Sequence, residues 1–130
     1  SGGVLVVFDV DDFKQVNDRY GHLQGDACLA EIARCIKKAY ARCGYCYRIG
    51  GDEFCVLLKN ADREARCAQE FERQLALRRE VVHCLPRVSL GSAPISGEDL
   101  LAVKDQADRE MYRCKKARKA AMERAGSGRP

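Results

Sequence analysis

Asp9 closes the apolar run Val4 to Val10, and a second pair of acids, Asp52-Glu53, follows Gly50-Gly51 between two further apolar runs, Tyr45 to Ile49 and Phe54 to Leu58. Two short apolar runs joined by a glycine-rich tip are the pattern of a β-hairpin, here with acid at its turn. Glycine supplies positive φ at no steric cost and lets a ligand approach the main chain, so Gly50 and Gly51 are expected to turn the chain and to touch substrate. Carboxylates at a strand end and a hairpin tip are hard oxygen donors of the kind Mg²⁺ takes, one or two per ion, with water and phosphate completing the shell. The chemistry indicated is that of a metal-bound phosphate. Asp9 alone reads as an ordinary strand-end or capping aspartate; paired with Gly50-Gly51-Asp52-Glu53 it does not.

The elements that must position these acids follow from periodicity. Val4 to Val10 is continuously apolar and β-branched, which predicts a buried central strand. Asp11 or Asp12 can cap a short helix with Phe13, Val16, Asn17 and Tyr20 on one face, ended by Gly21. A longer helix from about Gly25 to Arg42 turns Cys28/Leu29, Ile32, Cys35/Ile36 and Ala39/Tyr40 inward and carries Asp26 in its first turn. After the hairpin of strands 45–49 and 53–58 comes a third helix, about Ala61 to Arg79. Val81 to Leu85 and Arg87 to Ala93 read as two more strands, broken at Pro86. Ser96, with Asp99 three residues on, predicts the cap of a last helix whose Leu100, Leu101, Val103, Ala107, Met111 and Cys114 are mainly core. The order βααββαββα predicts an α+β fold, a mostly antiparallel sheet flanked by helices.

The run Arg48-Ile49-Gly50-Gly51-Asp52-Glu53-Phe54 matches the signature of the GGDEF domains, the diguanylate cyclases that condense two GTP molecules into cyclic di-GMP. Phe8 to His22 is similar to that family's first-strand and first-helix motif, Gly25-Asp26 follows at the family's spacing, and the pattern aligns from Val4 to about Lys115. The resemblance implies a palm-like fold. It also implies that Asp9, Asp52 and the main-chain carbonyl of Val10 hold Mg²⁺ (or Mn²⁺), with Glu53 a further metal ligand or the base that activates the 3′-hydroxyl. Asn17 and Asp26 occupy the family's guanine-reading positions. A carboxylate can accept both donors of the guanine edge, whereas adenine offers it a lone pair. Lys14 and the amides of Asp12 and Phe13 are placed like the family's triphosphate cradle at a helix N-terminus, and Lys115 resembles its β- and γ-phosphate lysine. Arg48 is expected to orient the hairpin. The product-inhibition motif Arg-x-x-Asp, which many such enzymes carry before the signature, is replaced by Ala41 and Gly44, so inhibition through that site is not expected.

The implied partners are GTP, a second copy of the domain that supplies the other half of the reaction, and an upstream sensor or regulatory domain. Nucleic acid and membrane contact are not expected. Two other readings stand beside the enzyme: a GTP-binding module that regulates a neighbouring domain, and a different palm-fold cyclase or polymerase that shares paired acids on a strand and a hairpin.

Composition sets the frame. A chain of 130 residues, 46% hydrophobic and 32% charged, fits one domain over residues 1–130, and no apolar run approaches the roughly 18 residues of a membrane span. Much of the net charge of +4 comes from the C-terminal run Arg113, Lys115, Lys116, Arg118, Lys119, Arg124 and Arg129, read mainly as a solvated helix face. Eight cysteines could suggest a disulfide scaffold, but several fall on the apolar phase of helices or strands, which points to free thiols in a reducing cytoplasm. The opening Ser1-Gly2-Gly3, set directly before a strand, reads as the start of a piece excised from a longer chain. Where similar domains have a turn and a closing strand, this chain has the strong helix formers Lys116 to Glu123. Continuation of the last helix is expected, with a disordered tail in 120–130.

Overall fold

The computed structural model describes residues 2–95, 97 and 99–127. Its sheet has four strands in the order β2-β3-β1-β4, every neighbouring pair antiparallel. These are β1 (Val4–Val10), β2 (Gly44–Arg48), β3 (Glu53–Leu58) and β4 (Val88–Pro94). The helices are α1 (Phe13–Tyr20), α2 (His22–Tyr40), α3 (Glu64–Arg79) and α4 (Leu100–Ser127), with a 3₁₀ turn at Ala61–Arg63 leading into α3. The α+β class and antiparallel sheet are those expected from sequence.

Strand alternation divides the core into two layers. Val4, Val6, Phe8 and Val10 of β1 join Phe54, Val56 and Leu58 of β3 against α2 and α3. Phe8 is fully buried there, edge-to-face with Tyr40 at 5.4 Å and Phe71 at 5.2 Å between ring centroids. The alternate residues Leu5 and Val7 turn to the other face, where Ala93 of β4 and Val103, Ala107 and Met111 of α4 cover them. Gly91 of β4 lets α4 in: a Cβ there would lie 2.1 Å from the Met111 nitrogen and 2.3 Å from the Ala107 oxygen.

Several boundaries differ from expectation. Val81 to Leu85 is not a strand. The N–H groups of Val81 and Val82 donate to the Arg78 carbonyl and Leu85 N–H to the Val82 carbonyl, while the Arg79 guanidinium takes the carbonyls of Leu85 and Pro86. The backbone is satisfied by turns and by one arginine, so it gains nothing from a ladder. α2 starts at His22 rather than Gly25. Ser96 lies outside the described residues; Asp99 itself caps α4, its Oδ1 accepting from Leu101 N–H at 3.1 Å. α4 continues through Lys116 to Glu123 as its composition predicts, and the stretch expected to be disordered from residue 120 is helical to Ser127. Among the described residues no helix is long and apolar enough to cross a membrane.

Candidate functional site

The β1–β3 register builds the acidic end of the sheet. Asp9 pairs directly with Glu53, and the Val10 N–H donates to the Asp52 carbonyl at 3.2 Å. Directly paired residues of an antiparallel ladder share a face, so Asp9 and Glu53 both turn to the α4 side, continuing the phase of Leu5 and Val7. Four positions singled out from sequence, Asp9, Val10, Asp52 and Glu53, therefore meet where β1 ends.

The hairpin tip corrects one expectation. Neither Gly50 nor Gly51 takes a positive φ, and a Cβ on either would meet nothing within 4 Å. The turn is held instead by Arg48, whose Nε and Nη2 donate to the Gly50 and Gly51 carbonyls at 3.1 and 2.6 Å. The Ile49 and Gly50 N–H groups, both onto the Glu53 carbonyl, complete it. Arg48 orients the hairpin, as expected. Nothing among the described residues demands glycine at the tip.

α4 brings cations to the acids. Lys115 Nζ lies 2.7 Å from Asp9 Oδ2, Arg118 donates to Asp11 Oδ2 at 2.9 Å and to the Val88 carbonyl, and Lys104 Nζ lies 3.5 Å from Glu53 Oε1. The buried Ser89 hydroxyl donates to the other Asp11 oxygen at 2.7 Å. Burial works against the Lys115 charge, yet the hydrogen bond to Asp9 and the nearby carboxylates of Asp9, Asp11 and Asp12 outweigh it and hold its pKa above the ordinary lysine value. Lys104 is raised in the same direction, first by its hydrogen bond to Asp108 and then by Glu53. A carboxylate that already binds an ammonium at 2.7 Å is a cation site by its chemistry, so Asp9 fits a metal ligand. Among the described residues no three acidic, histidine or cysteine side chains converge on one point. The expected set needs only the Asp9 and Asp52 carboxylates and one carbonyl, within what Mg²⁺ takes from protein.

The β1–α1 connection is the one place where a non-glycine residue takes a positive φ among the described residues: Asp12, at φ 53° and ψ 37°. It occupies the N-cap position of α1, but its side chain does not cap. Asp11, the other candidate cap, is engaged by Ser89 and Arg118. A left-handed Asp costs of order 1 kcal/mol and persists where neighbours hold it. Here the Asp11 N–H is fixed on the Arg87 carbonyl at 2.9 Å and Asp11's carboxylate on two side chains. The first turn of α1, with Phe13 and the exposed Lys14, is thus open at its N-terminus without a side-chain cap. Beside it Asn17 Oδ1 is buried and has no hydrogen-bond partner. A Cβ at Gly25 would fall 1.8 Å from that oxygen, so glycine there lets the Asn17 amide seat against the start of α2. Asp26 follows, exposed.

A cleft of about 1130 Å³ opens between α1, the segment before β4, and α4, with Asp9, Asp11, Asp12, Arg79, Arg87 and Lys115 among its walls. Asn17, Asp26, Asp52 and Glu53 do not line it, so of the three acids Asp9, Asp52 and Glu53 only Asp9 reaches the cleft. Arg118, Lys104 and Ser89 were not among the expected site residues. The signal was present for the two cations: 104, 107, 111, 115 and 118 recur at helical spacing, so the α4 stripe that carries Ala107 and Met111 into the core also carries charge to the sheet end.

A family model described as diguanylate cyclase, GGDEF domain, matches residues 1–121. Diguanylate cyclase DgcP of Pseudomonas aeruginosa is 35% identical over 130 residues, covering 92% of this chain and 19% of that protein. The cyclic di-GMP phosphodiesterase PdeR of Escherichia coli is 36% identical over 117 residues, 85% of this chain and 18% of that protein. Among solved structures, the GGDEF domain of DgcB from Caulobacter crescentus in complex with c-di-GMP matches with a TM-score of 0.76 at 30% identity, covering 88% of this chain and 72% of that one. The chain spans under a fifth of the length of the first curated relatives it matches. Because the match runs through the first strand, the acid-tipped hairpin and most of the last helix as one continuous unit, the chain belongs to the GGDEF domain family.

Proposed function

We propose that this domain is a diguanylate cyclase half-site: two copies meet face to face, each holding one GTP, and together they make cyclic di-GMP. In each of two steps the ribose 3′-oxygen of one nucleotide bonds to the α-phosphorus of the other, the bond from that phosphorus to the pyrophosphate oxygen breaks, and the hydroxyl proton is taken up by base. Glu53, on the ladder opposite Asp9, is positioned as that base or as a metal ligand. Asp9, Asp52 and the Val10 carbonyl would hold Mg²⁺ or Mn²⁺, which when bound neutralises phosphate charge and lowers the pKa of the attacking hydroxyl. The open first turn of α1, with the amides of Asp12 and Phe13 and the Lys14 ammonium, takes phosphate oxygens, and Lys115 moves from Asp9 to phosphate. Asn17 and Asp26 read guanine; the unpartnered Asn17 oxygen supports that assignment, since a buried acceptor awaits a donor.

The observation that carries this reading is the β1–β3 register, which sets Asp9 against Glu53 beside Asp52. Its test is incubation of the dimerised protein with GTP and Mg²⁺ followed by chromatography for cyclic di-GMP. Asp52→Ala and Glu53→Ala should each lower turnover on the order of 100-fold or more; unchanged turnover would sink the site. Product inhibition through positions 41 and 44 is absent in this reading, since they hold Ala41 and Gly44. The domain works in the cytoplasm, downstream of a sensor or regulatory domain. A second reading, a GTP-binding regulatory domain without turnover, is favoured by the lysines resting on Asp9 and Glu53, and GTP binding without product would select it.

A further inference from the structure

Cys28 and Cys84 are far apart in sequence and adjacent in space. Cys28 lies in α2, two residues after Asp26, and is fully buried; Cys84 lies in the segment of turns before β4, is half-buried, and lines the cleft. Their sulfurs are 3.7 Å apart, at van der Waals contact, and the Gln24 side-chain amide donates to Cys84 Sγ at 3.2 Å. A single buried cysteine is normally a small hydrophobe. Two sulfurs in contact, one reachable from a cleft and facing an N–H donor suited to a thiolate, are a different object. A bonded S–S distance is about 2.05 Å, so the two sulfurs, at 3.7 Å, must approach by under 2 Å to bond.

We propose that Cys28 and Cys84 form a reactive thiol pair that an oxidised low-molecular-weight disulfide converts to an intramolecular disulfide, tying the start of α2 to the segment before β4. The inference is independent of the cyclase reading. The Cys84 thiolate attacks one sulfur of the small disulfide and expels its other half as a thiolate, leaving a mixed disulfide on Cys84. Cys28 then attacks Cys84 Sγ, loses its proton and expels the second small thiol. Two protein thiols and one small disulfide thus become one protein disulfide and two small thiols, with electrons and protons balanced. Burial, reinforced by the neighbouring Cys84, pushes the Cys28 thiol up to about 11, so the second step is the slow one. In a reducing compartment such bonds are transient and redox-sensing rather than structural. The bond would also stiffen the segment whose Arg87 carbonyl holds the Asp11 N–H.

The test is equilibration of the whole chain in buffers of reduced and oxidised glutathione, with thiols counted after denaturation and cross-linked peptides mapped by mass spectrometry. The expected result is loss of two of the eight thiols, a Cys28–Cys84 peptide, reversal by dithiothreitol, and a rise of several degrees in Tm on oxidation, as closure of a long loop predicts. Cys84→Ser should abolish the loss; Cys43→Ser should leave it intact. Cys84 is half-buried, so its variant reads the result even if Cys28→Ser disturbs the core. Retention of all eight thiols, glutathione remaining on Cys84, or a cross-link between any other pair of cysteines instead would overturn the proposal.

Discussion

At the scale of residues, the informative contrast is between glycines that the chain itself requires and glycines that it does not. Gly51 has ordinary φ and open space where a Cβ would go, so Gly51→Ala removes backbone entropy from the unfolded state at no steric cost and should hold or raise stability by up to about 1 kcal/mol. If substrate approaches the hairpin main chain closely, the same methyl should lower cyclic di-GMP formation at least ~10-fold, the loss expected from displacing reacting groups by about an ångström. Thermal denaturation and product chromatography on one sample separate the two effects, and undiminished turnover would remove Gly51 from the substrate contacts. The placements legible in advance were those that neighbours in sequence explain, Asp9 at the end of an apolar run and Asp52 and Glu53 at a turn; the roles of Asn17 and Asp26 are proposed from the family resemblance. For Arg118 the helical spacing gave the face but not the partner, and Ser89 had no signal, because Asp11 is 107 and 78 positions away from them and no local pattern singles out one acid among nineteen.

At the scale of elements, helix and strand were readable wherever one period ran long enough to bury one face, as in α2 and β1. The segment Val81 to Leu85 was not, because its composition is that of a strand while its backbone partners, the Arg78 carbonyl and the Arg79 side chain, come from the preceding helix end. The approach of α4 to the sheet was also hidden, since Gly91 sits within an ordinary strand pattern and its necessity depends on a helix that comes later in the chain. That approach sets where Lys115 reaches, one turn beyond Met111. Gly91→Ala drives a methyl into helix backbone rather than a flexible side chain, and overpacking that cannot be relieved by a rotamer change should cost about 3 kcal/mol, roughly 10 °C in Tm. A melting shift of a degree or less would show that α4 is free to slide. The prediction also bears on function, because a displaced α4 carries Lys115 away from Asp9.

At the scale of the whole molecule, the pH dependence of stability rests on how the two helices of one layer are tied to each other. α2 and α3 form the layer that covers Phe8, and one ion pair clamps them: Arg78 Nε and Nη2 donate to the two oxygens of Glu31 at 2.9 and 3.0 Å, while Arg34 adds a contact at 3.0 Å. The hydrogen bond from Arg78 outweighs the burial of Glu31 and holds its carboxyl below the ordinary value of 4.5. A carboxyl depressed in the folded state binds its proton more readily when unfolded, so its contribution is fully present above about 4.5 and is lost as pH falls through the lower folded value. Arg78 remains 38% exposed, so solvent screening keeps the clamp's contribution modest. Glu70, pushed down to about 2 by its hydrogen bonds from Arg73 and Gln74 on the surface of α3, acts in the same direction, so the wild-type curve alone does not isolate Glu31. Glu31→Gln does: it keeps the shape, removes the charge and removes one acid titration. At pH 7 the variant should melt a few degrees below the wild type, and the gap should narrow as pH falls below about 4.5 and through the lower folded value, because protonation of Glu31 brings the wild type to the same neutral state. A gap that stays constant across that range would show that the clamp acts through packing alone.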